Sequence, residues 1–405
     1  MSKPEMQVGP GVYLFTWAVE LVSIRLARIR EGSRYNVSAE ALVRTTAPGV
    51  ASHLHQARVN LTSTTSRHSL AKHLESRMPG QDWPAMLEQA CVLALNRFRE
   101  GDTPIRVADI PTSERLTYRL EPLLVSGQIN LWYGAGGSAK SYTAQYLSTL
   151  LSLPLKHNGF SPEPSAVLYL DYETDPEDFR ARIAAVHGGL GIAADGSNIL
   201  YRFGKRPLPQ EVEEIQRIVT ENRVDVLIID SVGMACGDDP EKAESVLAYF
   251  RALRSLGNIT SLSIDHQNKE GKLFGSIYKF HEARNLWEFR VSQDAGAEVL
   301  DVGLYHRKRN SGGIRRPLGF RLVFGEGEPP CSVEFVKRDV GAVAELAKGL
   351  PAWEQIAGAL QGGAMTVEEL ADEIEMPAAV VRARLNGRKD AFIKLGNKWG
   401  LLQRG

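Results

Sequence analysis

Cysteine is scarce: Cys91, Cys236 and Cys331 are the only three in 405 residues. They lie far apart with no paired spacing, which excludes a zinc finger and argues against a disulfide framework. No apolar run approaches the roughly 20 residues that a bilayer-spanning helix needs. The polar opening MSKPEMQVGPG lacks the charged, apolar, small-residue order of a signal peptide. Neither internal repeats nor low-complexity tracts occur. There is no net charge either, with 48 basic residues against 48 acidic ones, so contact with a polyanion must come from local patches. These absences lead us to expect a soluble, cytoplasmic chain with no membrane partner. What is present is globular: 43% hydrophobic and 24% charged residues, at a length suited to two or three domains.

Three stretches differ in pattern. Residues 1–105 begin with alternating apolar positions, Val22, Ile24, Leu26 and Ile29, which turn at Glu31-Gly32-Ser33 and resume at Tyr35-Asn36-Val37 as a β-hairpin. Helical spacing follows through Leu70, Leu74, Trp83, Met86, Leu87, Ala90 and Phe98. The Gly101-Asp102-Thr103-Pro104 stretch closes this α+β accessory domain. Residues 106–340 alternate short apolar strands with helices, which implies an α/β core with a parallel sheet covered on both faces. Beyond Arg284 the strands come without helices, as in an antiparallel extension. Residues 341–405 read as three short helices and a two-stranded hairpin, the order of a winged helix. Thr366 and Glu369 there stand at capping-box spacing.

The chemistry concentrates in Gly134-Ala135-Gly136-Gly137-Ser138-Ala139-Lys140-Ser141, between a strand over 129–133 and a helix beginning at Tyr142. Glycines let backbone N–H groups wrap a phosphate at a helix N-terminus. Lys140 would reach the terminal phosphates of ATP, and the Ser141 hydroxyl would ligate Mg²⁺. Gly134, Gly136, Gly137, Ser138, Ala139, Lys140, Ser141 and Tyr142 are the expected nucleotide contacts. Ala139 stands where the motif has glycine; if φ must be positive there, its Cβ costs about 1–2 kcal/mol. The apolar stretch 224–229 ends in Asp230, a second metal ligand. The strand 166–170 leads to Glu173, a carboxylate just past the tip of a strand expected beside the phosphate-loop strand and suited to polarising water.

In order, GAGGSAKS, VLYLDYE, VDVLIIDSVG and SLSIDHQNK with FGS resemble the RecA superfamily, in particular RepA-type plasmid and phage replicative helicases. The resemblance spans 106–340. It implies that Glu173 is the catalytic glutamate, Asp230 the Walker B aspartate and His266 the sensor of the γ-phosphate. The run Arg307-Lys308-Arg309-Asn310-Ser311-Gly312-Gly313 resembles the turn by which DnaB-like helicases lend an arginine to a neighbour. Arg309, helped by Arg307, would be that finger, and the assembly a homo-oligomer, a hexameric ring or a filament.

Two stretches point to DNA. The loop 267–279 interleaves Lys269, Lys272 and Lys279 with Phe274 and Tyr278, a pattern suited to holding a single strand. In the last stretch, six acids and no Lys or Arg occupy 351–378, whereas Arg382, Arg384, Arg388, Lys389, Lys394, Lys398 and Arg404 oppose only Asp390 beyond it. Basic charge on the third helix and wing suits duplex DNA. The resulting expectation is an ATP-driven DNA helicase or translocase. The alternatives are an ATP-dependent adaptor or helicase loader without unwinding activity, and a small-molecule P-loop kinase.

Overall fold

Alternating burial decides the first unit. The computed structural model describes residues 2–9, 11–32, 36–100, 104–110, 116–193, 197–237 and 239–402, in two compact units, Met1–Ser113 and Glu114–Gly405. In the first, β1 (Glu5–Gly9), β2 (Val12–Trp17), β3 (Val22–Glu31), β4 (Val37–Thr45) and β5 (His53–Asn60) form an antiparallel sheet in chain order. The expected β3–β4 hairpin is thus part of a five-stranded meander; Ser33 and Tyr35 of its turn lie outside the described residues, as do Gly101, Asp102 and Thr103. Every second residue of β3 and β4 points inward, so Ile24, Leu26, Ala41 and Val43 are buried. Against them pack α1 (Thr64–Arg77) and α2 (Trp83–Glu100) through Leu70, Leu74, Trp83, Met86 and Leu87. Ser63 caps α1 by accepting from Ser66 N–H at 3.2 Å.

The second unit opens with two short strands, β6 (Tyr118–Leu120) and β7 (Leu124–Val125). The core follows as β8 (Ile129–Gly134), α3 (Lys140–Ser152), β9 (Val167–Asp171), α4 (Pro176–Gly189), β10 (Ile199–Phe203) and α5 (Leu208–Glu221). It continues through β11 (Val226–Asp230), α6 (Val232–Ala235), α7 (Ala243–Ser255), β12 (Thr260–His266) and α8 (Tyr278–Glu282). Four strands complete it: β13 (Asn285–Ser292), β14 (Val299–Arg309), β15 (Leu318–Phe324) and β16 (Val333–Lys337). They form one nine-stranded sheet in the order β10-β9-β11-β12-β8-β13-β14-β15-β16. The strand after Arg284 runs parallel to β8, and the antiparallel extension begins only at β14. The reason is α8, a short crossover that returns the chain to the same end of the sheet. On one face Leu147, Leu150, Phe179, Val186 and Phe335 pack with Trp132, Trp287 and Phe289. On the other, Ile215, Tyr249, Phe250 and Leu253 of α5 and α7 cover Leu168, Leu227 and Ile229.

After β16, α9 (Ala344–Ala347) seats Leu346 against Tyr305 of β14. Then come α10 (Ala352–Ala359), α11 (Val367–Glu373), α12 (Ala378–Gly387), β17 (Phe392–Leu395) and β18 (Lys398–Leu401). Ile356, Leu370, Val381, Leu385, Phe392 and Trp399 make their own small core. The capping box forms as the spacing predicts: Glu369 N–H donates to Thr366 Oγ1, and Thr366 N–H to Glu369. Arg404 lies outside the described residues.

Candidate nucleotide site

A parallel sheet gathers its loops at the C-terminal ends of its strands, and the candidate residues collect there. The phosphate loop joins β8 to α3. Gly134 is obligatory for packing: a Cβ there would lie 2.7 Å from Phe289 O and 3.0 Å from Ser138 Oγ. Gly137 has φ +71°, and Ala139 caps α3 in the left-handed region at φ 56°, ψ 21°. The missing glycine is therefore a real strain, with an ordinary side chain in a conformation that costs about 1–2 kcal/mol.

Lys140 is buried, and its ammonium folds back onto its own loop, donating to Gly134 O at 3.1 Å, Ala135 O at 2.7 Å and Ser138 Oγ at 3.1 Å. Burial lowers its pKa, opposed by the charges of Asp230, Glu173 and Asp265. The cation thus sits inside the cradle that a phosphate would enter.

Asp230, at the tip of β11, is also buried, and burial pushes its carboxyl up to about 6. Hydrogen bonds from Ser141 and Tyr169 work against that rise, the Tyr169 hydroxyl donating to Asp230 Oδ2 at 2.7 Å. A hydroxyl and a buried carboxylate side by side beneath a phosphate loop fit Mg²⁺, which completes its shell with water and phosphate oxygens. Among the described residues no group of three or more His, Cys, Asp or Glu forms a metal cage, so Ser141 and Asp230 are the donors that would hold it.

Glu173 does not lie on a strand next to β8, because β11 and β12 stand between β9 and β8. It reaches the site because Asp171 folds the chain over the strand ends. The Asp171 carboxylate accepts from Glu173 N–H at 2.9 Å, from Thr174 N–H at 3.1 Å and from the Thr174 hydroxyl, an Asx-type turn. Glu173 Oε1 then accepts from the Ser231 hydroxyl and lies 3.0 Å from His266 Nε2. The His266 contact, with help from Ser231, lowers the Glu173 pKa, while Glu173 raises that of His266. Each thus favours the charged form of the other. Tyr169 and Ser231 were not singled out from sequence. Their signal was position alone, Tyr169 two residues before Asp171 and Ser231 next to Asp230.

Other expected contacts part company. Lys279 is fully buried and paired with Asp265 Oδ2 at 2.7 Å, so it cannot meet a nucleic-acid phosphate. Its ammonium also lies 5.6 Å from the Phe274 ring centre, which holds that ring back half-buried. Lys269, Lys272 and Tyr278 remain exposed. The basic run of β14 is largely used internally. Lys308 donates to Phe280 O, His281 O and Ala283 O at 2.7–2.9 Å, and Arg307 binds Glu288. Arg309 lies over Tyr118 at 5.7 Å and pairs with Asn285 in register. Gly134 is opposite Phe289, so Arg309 stands about 13 Å along the strands from the phosphate loop, four residues at 3.3 Å each. Within one chain it does not join Lys140. In the last stretch, Arg382, Arg384, Lys389, Lys394 and Lys398 are exposed, while Arg388 lies 4.1 Å over Trp353.

Comparison with known proteins agrees with the phosphate loop. Residues 96–272 match the AAA domain family. No curated protein matches the chain. Among solved structures, a KaiC-like protein from the archaeon Pyrococcus horikoshii is similar at 14% identity and TM-score 0.40, over 55% of this chain and 99% of that one. The matched stretch contains the phosphate loop, Glu173, Asp230 and His266, and agrees with a P-loop ATPase domain there. Among the described residues no helix is long and apolar enough to cross a membrane.

Proposed function

We propose that this chain hydrolyses ATP to move along or remodel DNA, in the manner of RepA-type replicative helicases. The observation that carries the hydrolytic part is the convergence of Lys140, Ser141, Asp230 and the Glu173–His266 pair at the ends of neighbouring strands. Lys140 leaves the loop carbonyls for the incoming phosphates. Ser141 and Asp230 would hold Mg²⁺, which when bound neutralises triphosphate charge. Glu173, kept ionised by His266 and Ser231, accepts hydrogen bonds from the attacking water and polarises it. His266, whose Nε2 lies 3.0 Å from Glu173 Oε1, would change partner when a γ-phosphate arrives.

The DNA part rests on the exposed basic side chains of α12 and the β17–β18 hairpin, which we read as a winged helix, and on Lys269 and Lys272. Arg309 lies too far along the sheet to serve its own chain's site, which favours a role in trans and hence a homo-oligomer, ring or filament. ATPase and strand-displacement assays with and without single-stranded DNA test the reading: hydrolysis should rise with DNA and vanish in Lys140→Ala. A DNA-independent ATPase would overturn the motor. A loader that binds DNA without unwinding it is the second reading. Ala139 favours it, because a strained loop weakens nucleotide binding and slows a cycle.

A further inference from the structure

The antiparallel end of the sheet carries a polar face that the site above does not use. One side of β13–β16 is core, with Trp287, Phe289, Val302, Leu304, Phe320 and Phe335. The register puts Glu288 opposite Tyr305, Arg290 opposite Gly303 and Asp301 opposite Arg321 on the other side.

Each of the two acids there is nearly buried and holds two arginines. Glu288 is 6% exposed; it accepts from Arg290 Nε at 2.7 Å and from Arg307 Nε. Asp301 is 10% exposed; it takes Arg321 through Nε at 2.8 Å and Nη2 at 2.6 Å, with Arg338 Nε 3.8 Å away. One carboxylate satisfies one guanidinium, so the four arginines leave two positive charges over. Arg338 Nε is buried without a hydrogen-bond acceptor. The arginines are 32–38% exposed, neither lost in the core nor free to wander. Tyr305 stiffens the first pair: Arg290 and Arg307 lie 5.4 and 5.2 Å from its ring centre. The ring can lie flat on the sheet because residue 303 is glycine, where a Cβ would come within 2.9 Å of it.

We propose that this face, organised by Glu288 and Asp301, binds the phosphodiester backbone of a nucleic-acid strand through Arg290, Arg321 and Arg338. Guanidiniums fixed in place lose little entropy on meeting phosphate, and their planar donors suit its oxygens. Spacing separates the candidate anions. Arg290 and Arg321 are two strands apart, about 10 Å at the usual strand separation. Donors so spread fit successive phosphates of a chain, whereas a single terminal phosphate needs donors that converge. The proposal rests on the reading that the protein acts on nucleic acid.

The test is anisotropy of a labelled oligo(dT) with the full chain across a salt series. Arg290→Gln with Arg321→Gln leaves Arg307 on Glu288 and Arg338 on Asp301, so neither buried acid is stranded. If both arginines touch phosphates, the log–log salt slope flattens by about 1.4, at about 0.7 per phosphate of single strand. ATPase without DNA stays unchanged, and Arg290→Lys with Arg321→Lys keeps the parental slope. An oligonucleotide bound with an unaltered slope by the double glutamine variant overturns the proposal alone. Lost DNA-free hydrolysis with intact DNA binding also overturns it, assigning the arginines to a neighbour's nucleotide. A parental protein that does not bind the oligonucleotide removes the nucleic-acid reading and this proposal with it.

Discussion

At the scale of single residues, the site is held by burial and a few short contacts. Ala139 is the clearest case. Its φ of 56° is a conformation that glycine adopts freely, so Ala139→Gly should raise stability by up to about 1 kcal/mol, with nucleotide affinity equal or better. Thermal melts and calorimetric ATP titration check it; a clear loss in either would mean that the Cβ makes packing contacts outweighing the strain. Asp230 supplies a pH dependence. With its carboxyl pushed up to about 6 by burial, the acid form dominates below that pH and cannot serve a metal. Mg²⁺-dependent nucleotide binding should therefore be lost as pH falls through about 6. Tyr169→Phe removes a hydrogen bond to the charged form, so the acid limb should move to higher pH; a limb that stays put would release Tyr169 from this role. For the nucleotide-free fold the sign reverses. The folded state holds the proton more tightly than the unfolded chain, so this group lowers stability as pH rises from the ordinary carboxylate range to about 6.

At the scale of elements, α8 and its preceding loop are pinned from two sides. Lys279 ties the start of α8 to Asp265 at the end of β12, and Lys308 of β14 gathers the carbonyls at its other end. Lys279→Ala leaves a buried carboxylate unpaired and should cost about 3–5 kcal/mol in denaturant unfolding. Adding Asp265→Asn should recover much of that loss, since the stranded charge and not the missing ammonium is the expensive part. A double variant as unstable as the single one would put the cost in packing around Phe274. Because His266 adjoins Asp265 and the loop starts at Gln267, this pair also fixes the loop against the nucleotide site.

At the scale of the whole molecule, the predictions concern assembly and the last 55 residues. Arg309→Ala should bind ATP normally and hydrolyse it poorly. Mixing it with Lys140→Ala subunits should restore part of the activity, since some interfaces pair an intact loop with an intact finger. Mixed oligomers as inactive as either parent would refute the trans role. Truncation belongs after Leu350, since Leu346 and Leu350 pack on Tyr305 and a cut at 341 would open that cluster. Removing residues 351–405 should weaken duplex binding and flatten its salt dependence by about 0.9 per lost phosphate contact, with basal ATPase retained. An unchanged slope would assign α12 and the β17–β18 hairpin to protein contacts.

Local rules carried much of this in the sequence. The glycines of 134–137, the apolar strands ending in Asp171 and Asp230, the capping box at Thr366 and the helical spacing of Leu70 to Phe98 each depend on neighbours within a few residues. Their chemistry is therefore readable in one dimension. Strand order is not local. That β11 and β12 separate Glu173 from β8, that β13 runs parallel, and that Lys279 faces inward while Lys272 does not were decided by packing between distant segments. The same holds for Glu288 and Asp301: as letters they are two ordinary acids, and only the pairing of β13 through β16 brings four arginines onto them. Sequence determined which groups exist and what each element is, because propensity and hydrogen bonding act at short range. The tertiary structure decided which groups meet water and which meet each other, because burial is a property of the whole chain.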